Sequence, residues 1–207
     1  MRDSDLQSSH PVSQFSYGSG NNPSRGVMNH APTTHPGDTQ RGQKILVVED
    51  DADIRQILSV FLKHSGFEVR TVSDGQQAIN AIPEFCPSLI VLDLMMQPVS
   101  GWEVLRWLRT IYEASPGENE TLSKQLHTIP VLILTALTEI EVQVDGFEAG
   151  AVEYMTKPTQ PAKIVDRILN LLSLSPEQRS MLQRKRFEDQ RSILERIRTP
   201  LPDEFLY

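Results

Sequence analysis

Four short stretches of this chain end in side chains that could do chemistry together: Glu49-Asp50, Asp93, Thr135 and Lys157. Each closes a run that reads as a strand. If the strands lie side by side, three carboxylates meet at one edge. Like charges that close repel and raise one another's pKa unless a cation sits among them. An oxygen-only ligand set suits a hard ion, and Mg²⁺ is the natural candidate. Thr135 adds a hydroxyl and Lys157 a fixed positive charge. A carboxylate nucleophile, a divalent metal, a lysine and a hydroxyl are the parts of a phosphoryl-transfer site: the carboxylate attacks in line while metal and lysine neutralise the phosphoryl oxygens. The product would be an acyl phosphate on Asp93.

The elements that must position these groups are readable from apolar periodicity. Lys44 to Val48 reads as a buried strand. Asp51 or Asp53 can cap a helix that carries Ile54, Ile57, Leu58, Phe61 and Leu62 on one face and stops at Ser65-Gly66. Phe67 to Thr71 reads as strand two, and Ser73-Asp74-Gly75 opens a helix through about Ile82. Pro87 to Asp93 contains strand three, and a helix from Gly101 to about Ala114 follows. Ile129 to Thr135 is strand four, Glu139 to Ala149 a helix closed by Gly150, Ala151 to Thr156 strand five, and Pro161 to Leu172 a helix. Continuous apolar strands joined by helical crossovers predict an α/β fold: a five-stranded parallel sheet, doubly wound, with all strand C-termini along one edge.

Composition bounds the rest. Residues 1–43 are rich in Ser, Gly, Asn, Pro, Thr and His without apolar periodicity, and read as a disordered tail. His10, His30 and His35 lie there, too widely spaced to suggest a metal site. Residues 44–174 form the domain, and residues 175–207 a helical extension. Ser175-Pro-Glu-Gln178 has the pattern of a capping box, and a charged helix is expected from Pro176 to about Arg198. Ser115 to Glu120, with Ser123 to Thr128, reads as a polar surface insertion. The net charge of −7 is concentrated in the domain, which holds 10 basic and 18 acidic residues. An acidic body lacks the basic footprint of a nucleic-acid binder. No apolar run is long enough to span a membrane. Cys86, the single cysteine, excludes an internal disulfide, fits a cytoplasmic setting, and reads as an ordinary small residue at a strand entrance.

The motifs Ile45-Leu-Val-Val-Glu-Asp-Asp51, Val91-Leu-Asp-Leu-Met95, Leu134-Thr-Ala136 and Phe147-Glu-Ala-Gly-Ala-Val-Glu-Tyr-Met-Thr-Lys-Pro158 occur in order, each at a strand end. Over about 130 residues the chain resembles response-regulator receiver domains of two-component systems. The resemblance implies a flavodoxin-like fold and a role for each matched residue. Asp93 is the phosphoacceptor. Glu49, Asp50 and Asp93 with the backbone carbonyl of Met95 hold Mg²⁺, Asp50 directly and Glu49 partly through water. Thr135 moves onto the phosphoryl group, Tyr154 is the aromatic switch that follows it, and Lys157 pairs with a phosphoryl oxygen. Asp51 is read as a helix-start residue. Many receivers have proline four residues after the phosphoacceptor; here that position is Gln97 and the proline is Pro98, so this loop departs from the pattern. Met95 and Leu137 occupy positions that modulate hydrolysis in the family, and both are bulky and apolar.

The implied partner is a histidine kinase or a histidine phosphotransfer protein, and the chain is expected to be a signalling component, not an enzyme. No winged-helix or helix-turn-helix segment follows position 174, so output through protein–protein contact without a DNA-binding domain is expected. A homodimer through the helix 4–strand 5–helix 5 face or through the C-terminal helix is one form of that contact. Two alternatives stand beside this: a pseudo-receiver that works without phosphorylation, and a receiver piece of a larger signalling protein. A haloacid-dehalogenase-like phosphatase would need a second aspartate two residues after the nucleophile, where this chain has Met95.

Overall fold

The computed structural model describes residues 42–114, 126 and 128–199. The expectations for the first 41 residues, for residues 115–125 and for the last eight lie outside these. The described elements are β1 (Lys44–Val48), α1 (Ala52–His64), β2 (Glu68–Val72), α2 (Gly75–Phe85), β3 (Leu89–Leu92), α3 (Gly101–Ala114), β4 (Val131–Thr135), α4 (Ile140–Glu148), β5 (Glu153–Thr156), α5 (Pro161–Ser173) and α6 (Pro176–Arg198). The strands pair in parallel in the order β2-β1-β3-β4-β5. The chain therefore leaves β1 towards one side for β2 and returns across it to β3. The crevice between the C-terminal ends of β1 and β3 is the switch point at which such sheets bind ligands.

The continuous apolar strands follow from burial on both faces. Leu46, Val48, Ile90, Leu92, Val131 and Ile133 pack on one face with α2 and α3, through Ala78, Ala81, Ile82, Val104, Leu105 and Leu108. Ile45, Val47, Leu89, Val91, Leu132 and Leu134 face the other way, against Leu58 and Leu62 of α1 and Ile164, Ile168 and Leu171 of α5. A strand flanked by helices on both sides has no polar face to show, so alternation disappears from the sequence.

Most boundaries fall within a residue or two of the sequence reading, and the departures have local causes. Asp51, not Asp53, caps α1: its carboxylate accepts from the backbone N–H groups of Asp53 and Ile54 at 2.9 and 3.0 Å. The buried stripe of α1 is narrower than expected. Leu58 and Leu62 reach the sheet, while Ile57 and Phe61 remain about half exposed. Helix α2 runs past Pro83 to Phe85, so proline does not end it, and Cys86 is its exposed left-handed C-cap at φ 49, not a strand-entrance residue. Gly66 and Gly150, both at positive φ, close α1 and α4 where glycine was read as a stop. Trp102 and Trp107 of α3 pack half-buried against the core. The capping box at Ser175 and Gln178 is present.

Candidate functional site

The site forms where β1, β3 and β5 end. Glu49 and Asp50 follow β1 directly, and Asp93 follows β3, its N–H bonded to the carbonyl of Val48 at 2.9 Å. Parallel register puts Val48 beside Leu92, so the next residue on each strand is an acid. Carboxylate oxygens of Glu49, Asp50 and Asp93 all lie within 4.8 Å of one another. Glu49 and Asp93 are buried and Asp50 is exposed, so the cluster has a closed floor and one open side.

Lys157 arrives from β5 and lies across the two buried acids. Its Nζ is 2.5 Å from Asp93 Oδ2 and 2.7 and 2.6 Å from the two Glu49 oxygens. Burial raises the pKa of Glu49 above the carboxylate range, against the pull of Lys157; the charge of Asp93 adds to the rise. For Lys157, burial lowers the pKa, but the hydrogen bonds to Asp93 and Glu49 outweigh it and leave it raised. The second oxygen of Asp93 accepts the N–H of Met95 at 3.0 Å, which fixes the carboxylate plane. Three carboxylates, with the lysine charge beside them, form a site for a small hard cation and for an anion next to it.

Thr135 ends β4, and its carbonyl accepts the N–H of Lys157 at 2.8 Å, which ties the two site strands together at this edge. Its Oγ1 is buried and has no hydrogen-bond partner. A buried hydroxyl left unsatisfied costs about 1–3 kcal/mol, so it is a group with an interaction still to make. Tyr154 is half buried on β5. Its hydroxyl donates to the carbonyl of Leu137 at 3.0 Å, and its ring lies 6.3 Å from that of Phe147. Burial, then the charges of Glu139 and Asp93, push its pKa up to about 12. The side chain of Met95 is exposed, beside the acid cluster in sequence.

Three groups support the site beyond the residues read as carrying its chemistry. Arg55 of α1 donates to the carbonyls of Glu49 and Asp50 at 2.7 and 3.0 Å and so holds the acidic turn from below. A cation one turn into a helix that starts beside an acidic pair was the available signal. Gly101 has no room for a side chain: a Cβ there would stand 2.1 Å from the carbonyl oxygen of Asp93. Gly75 is pressed in the same way against the carbonyl of Val99, at 2.6 Å. These close approaches hold the Met95–Ser100 loop, which has a cis Gln97–Pro98 bond, against the Asp93 backbone and Gly75.

The sequence profile of the response regulator receiver domain matches residues 45–169. The chain is 38% identical over 131 residues to the DNA-binding response regulator MtrA of Mycobacterium bovis, covering 63% of this chain and 50% of that one. It is 35% identical to the transcriptional regulatory protein GltR of Pseudomonas aeruginosa, covering 63% of this chain and 49% of that one. Among solved structures, a response regulator from Chloroflexus aurantiacus superposes with a TM-score of 0.55 at 30% identity, covering 65% of this chain and all of that one. The chain spans about half the length of the curated relatives it matches.

These relatives correct the expected output. A regulator without a DNA-binding output, for which nucleic acid is not a partner, was inferred from the acidic domain and from the residues after 174. The matched relatives are DNA-binding and transcriptional regulators. The physical fault in the inference is plain: a receiver passes its signal through a contact surface, so its own charge says nothing about whether the output it controls binds DNA. Among the described residues, no helix is long and apolar enough to cross a membrane.

Proposed function

The chain belongs to the response regulator receiver family, and from that membership we propose that Asp93 accepts a phosphoryl group from a histidine kinase or a histidine phosphotransfer protein, and that its phosphorylation controls a DNA-binding output. The observation that carries the first part is the grip of Lys157 on buried Asp93 and Glu49 beside exposed Asp50. Once the attacking oxygen gives its charge to the new bond, a lysine already beside it is placed to pair with an oxygen of the arriving phosphoryl group. Glu49, Asp50, Asp93 and the carbonyl of Met95 would hold Mg²⁺, which supplies neutralising charge for the incoming group. The carboxylate of Asp93, with one oxygen fixed by the N–H of Met95, attacks phosphorus through the other; the donor's phosphorus–nitrogen or phosphorus–oxygen bond breaks, and its electron pair leaves with the donor. Thr135 Oγ1, unpartnered now, gains an acceptor in the phosphoryl oxygen, and Tyr154, now bonded to the carbonyl of Leu137, is the neighbour that responds.

The second part rests on the relatives, whose names carry DNA binding. Residues 44–174 are the receiver in this reading, residues 175–207 an extension, and the cytoplasm is where kinase and DNA are both within reach. Pairing of two copies through α4, β5 and α5 would require α6 to move, because α6 lies there.

The test has two arms. The purified chain with Mg²⁺ and acetyl phosphate should gain one phosphoryl group by intact mass, and the Asp93→Asn variant none; equal labelling of both refutes the assignment of Asp93. In cells, DNA cross-linked to the protein and recovered with it should show enriched sites that Asp93→Asn loses. Recovery at background for both would remove the DNA-binding output.

A further inference from the structure

Helix α6 lies outside the matched receiver segment, yet it is fastened to the start of β5, the strand that leads to Lys157. β5 is an edge strand, bonded only to β4. An open parallel edge leaves unpaired backbone groups, and α6, packed on α4, reaches the start of this one. Arg186 donates to the carbonyl of Val152 at 2.8 Å and forms a close ion pair with Glu153, a buried acid at the start of β5. Arg167 of α5 approaches the other Glu153 oxygen at 2.9 Å. Gln183 donates to the carbonyl of Phe147 at the end of α4, and Arg198 reaches Glu141 near its start, so α6 and α4 run antiparallel. Leu182 packs on the α5 side of the core.

These contacts touch the groups that change with the site. Glu153 precedes Tyr154 on β5, and Lys157 follows in the same segment. The ring of Tyr154 packs on Phe147 and lies close to Gly146, where an added Cβ would come within 3.4 Å of it. Phe147 offers α6 its carbonyl. A shift of Tyr154 or of β5 therefore disturbs both the Glu153 and the Phe147 attachments. The attachment is also thin. Leu194 alone on α6 is buried, while Met181 and Ile197 are 73% and 68% exposed. α5 buries three aliphatic residues; α6 buries only Leu194, with Leu182 partly buried on the core, and adds a few polar bonds.

We propose that α6 is a reversible intramolecular cover on the α4–β5 edge, clamped by Arg186 on Glu153, and that phosphorylation of Asp93 releases it to free this face for a partner. The proposal rests on the phosphoacceptor reading above. A ligand that favours one of two arrangements shifts their populations by its differential affinity, and the coupling is reciprocal.

Hydrogen exchange of the amides of residues 176–198 in the full chain tests it, with intact mass read on the same samples. Beryllofluoride or acetyl phosphate with Mg²⁺ should speed α6 exchange about ten-fold or more, the usual range of such coupling, and Asp93→Asn should abolish the effect. Arg186→Gln and Gln183→Ala should each speed α6 exchange without any phosphodonor while Asp93 still takes a phosphoryl group. Beryllofluoride should in turn bind Arg186→Gln more tightly. A phosphorylated protein with unchanged α6 exchange overturns the cover and leaves the phosphoacceptor standing. Absence of any phosphoryl group on the wild-type chain removes both. Protection of α6 in Arg186→Gln equal to wild type overturns the clamp, and protection that grows with protein concentration assigns the helix to a second copy and overturns a cover within one chain.

Discussion

Replacing Lys157 with methionine should cost the fold about 3 kcal/mol at neutral pH, and the loss should be reversible by acid or by Mg²⁺. Lys157 touches Glu49 and Asp93, whose side chains are 2% and 6% exposed. Removing one partner of a buried ion pair typically costs about 3–5 kcal/mol because the stranded charge keeps its desolvation penalty. The lower end applies here, since exposed Asp50 leaves one side of the cluster open to water. For a body of this size about 4 °C accompanies each kcal/mol, so the midpoint should fall by roughly 12 °C. The stranded acids also set the pH dependence. Burial already raises the pKa of Glu49 with the lysine in place, and loss of the lysine raises it further. A carboxyl whose folded pKa exceeds its unfolded value, about 4, contributes stability below that value and loses it as pH rises through the folded value. The deficit of Lys157→Met against wild type should therefore shrink from pH 8 to pH 5. Mg²⁺ should shrink it as well, because without the lysine the three carboxylates would bind the ion more tightly than they do in wild type. Urea denaturation of both proteins at two pH values, with and without Mg²⁺, reads all of this. A loss under about 1 kcal/mol, or a deficit indifferent to both pH and Mg²⁺, would refute the account of Lys157 as the counter-ion that holds this acid pair together.

Gly101→Ala should destabilise by roughly 2–3 kcal/mol, the upper part of the overpacking range, because the obstacle is the Asp93 backbone; urea denaturation checks it, and slower labelling of Asp93 should accompany it. Thr135→Val should leave the unphosphorylated protein as stable or slightly more so, since it removes an unsatisfied buried hydroxyl, yet weaken beryllofluoride binding about ten-fold or more by deleting a bond to a charged group. Tyr154 should ionise near pH 12, shown by a phenolate absorbance component that Tyr154→Phe removes; with its folded pKa above the unfolded value of about 10, its contribution to stability is complete below pH 10 and is lost on rising through about 12. Substituting Met95→Asn with Leu137→Glu should shorten the life of the acyl phosphate on the order of ten-fold by helping water to phosphorus, timed by intact mass after the donor is removed.

What was legible in the sequence is what local rules fix. Strands buried on both faces write themselves as unbroken apolar runs, and parallel crossovers then bring every strand end to one edge. That is enough to gather Glu49, Asp50, Asp93 and Lys157, separated by up to 108 positions, without any contact being seen. What stayed hidden depends on distances between loops. Nothing in the spacing of Gly101 shows that Asp93's carbonyl lies where its side chain would be. The face of α1 was read too wide because helical periodicity gives a direction and not a depth: Ile57 and Phe61 point near the sheet but stop at its margin. Cys86 was placed on the wrong side of the boundary because α2 was read only to about Ile82, whereas it continues through Pro83 to Phe85.

The C-terminal helix was the hardest to read for the same reason that it can act. A helix that docks through a broad apolar stripe announces its face, as α5 does with Ile164, Ile168 and Leu171. α6 docks instead through Gln183, Arg186 and Arg198, side chains that in sequence look like solvent-facing polarity. Its irregular apolar positions gave neither a coiled-coil seam nor a core face. Glu153 was equally silent, an acid in a short strand whose burial becomes visible only once two arginines from two helices close on it. A polar, geometry-dependent attachment contributes little when its partners shift by an ångström or two, whereas an apolar stripe tolerates sliding. An element that must leave when β5 or Tyr154 moves is better fastened in the first way, and that fastening leaves almost no trace in hydrophobic periodicity.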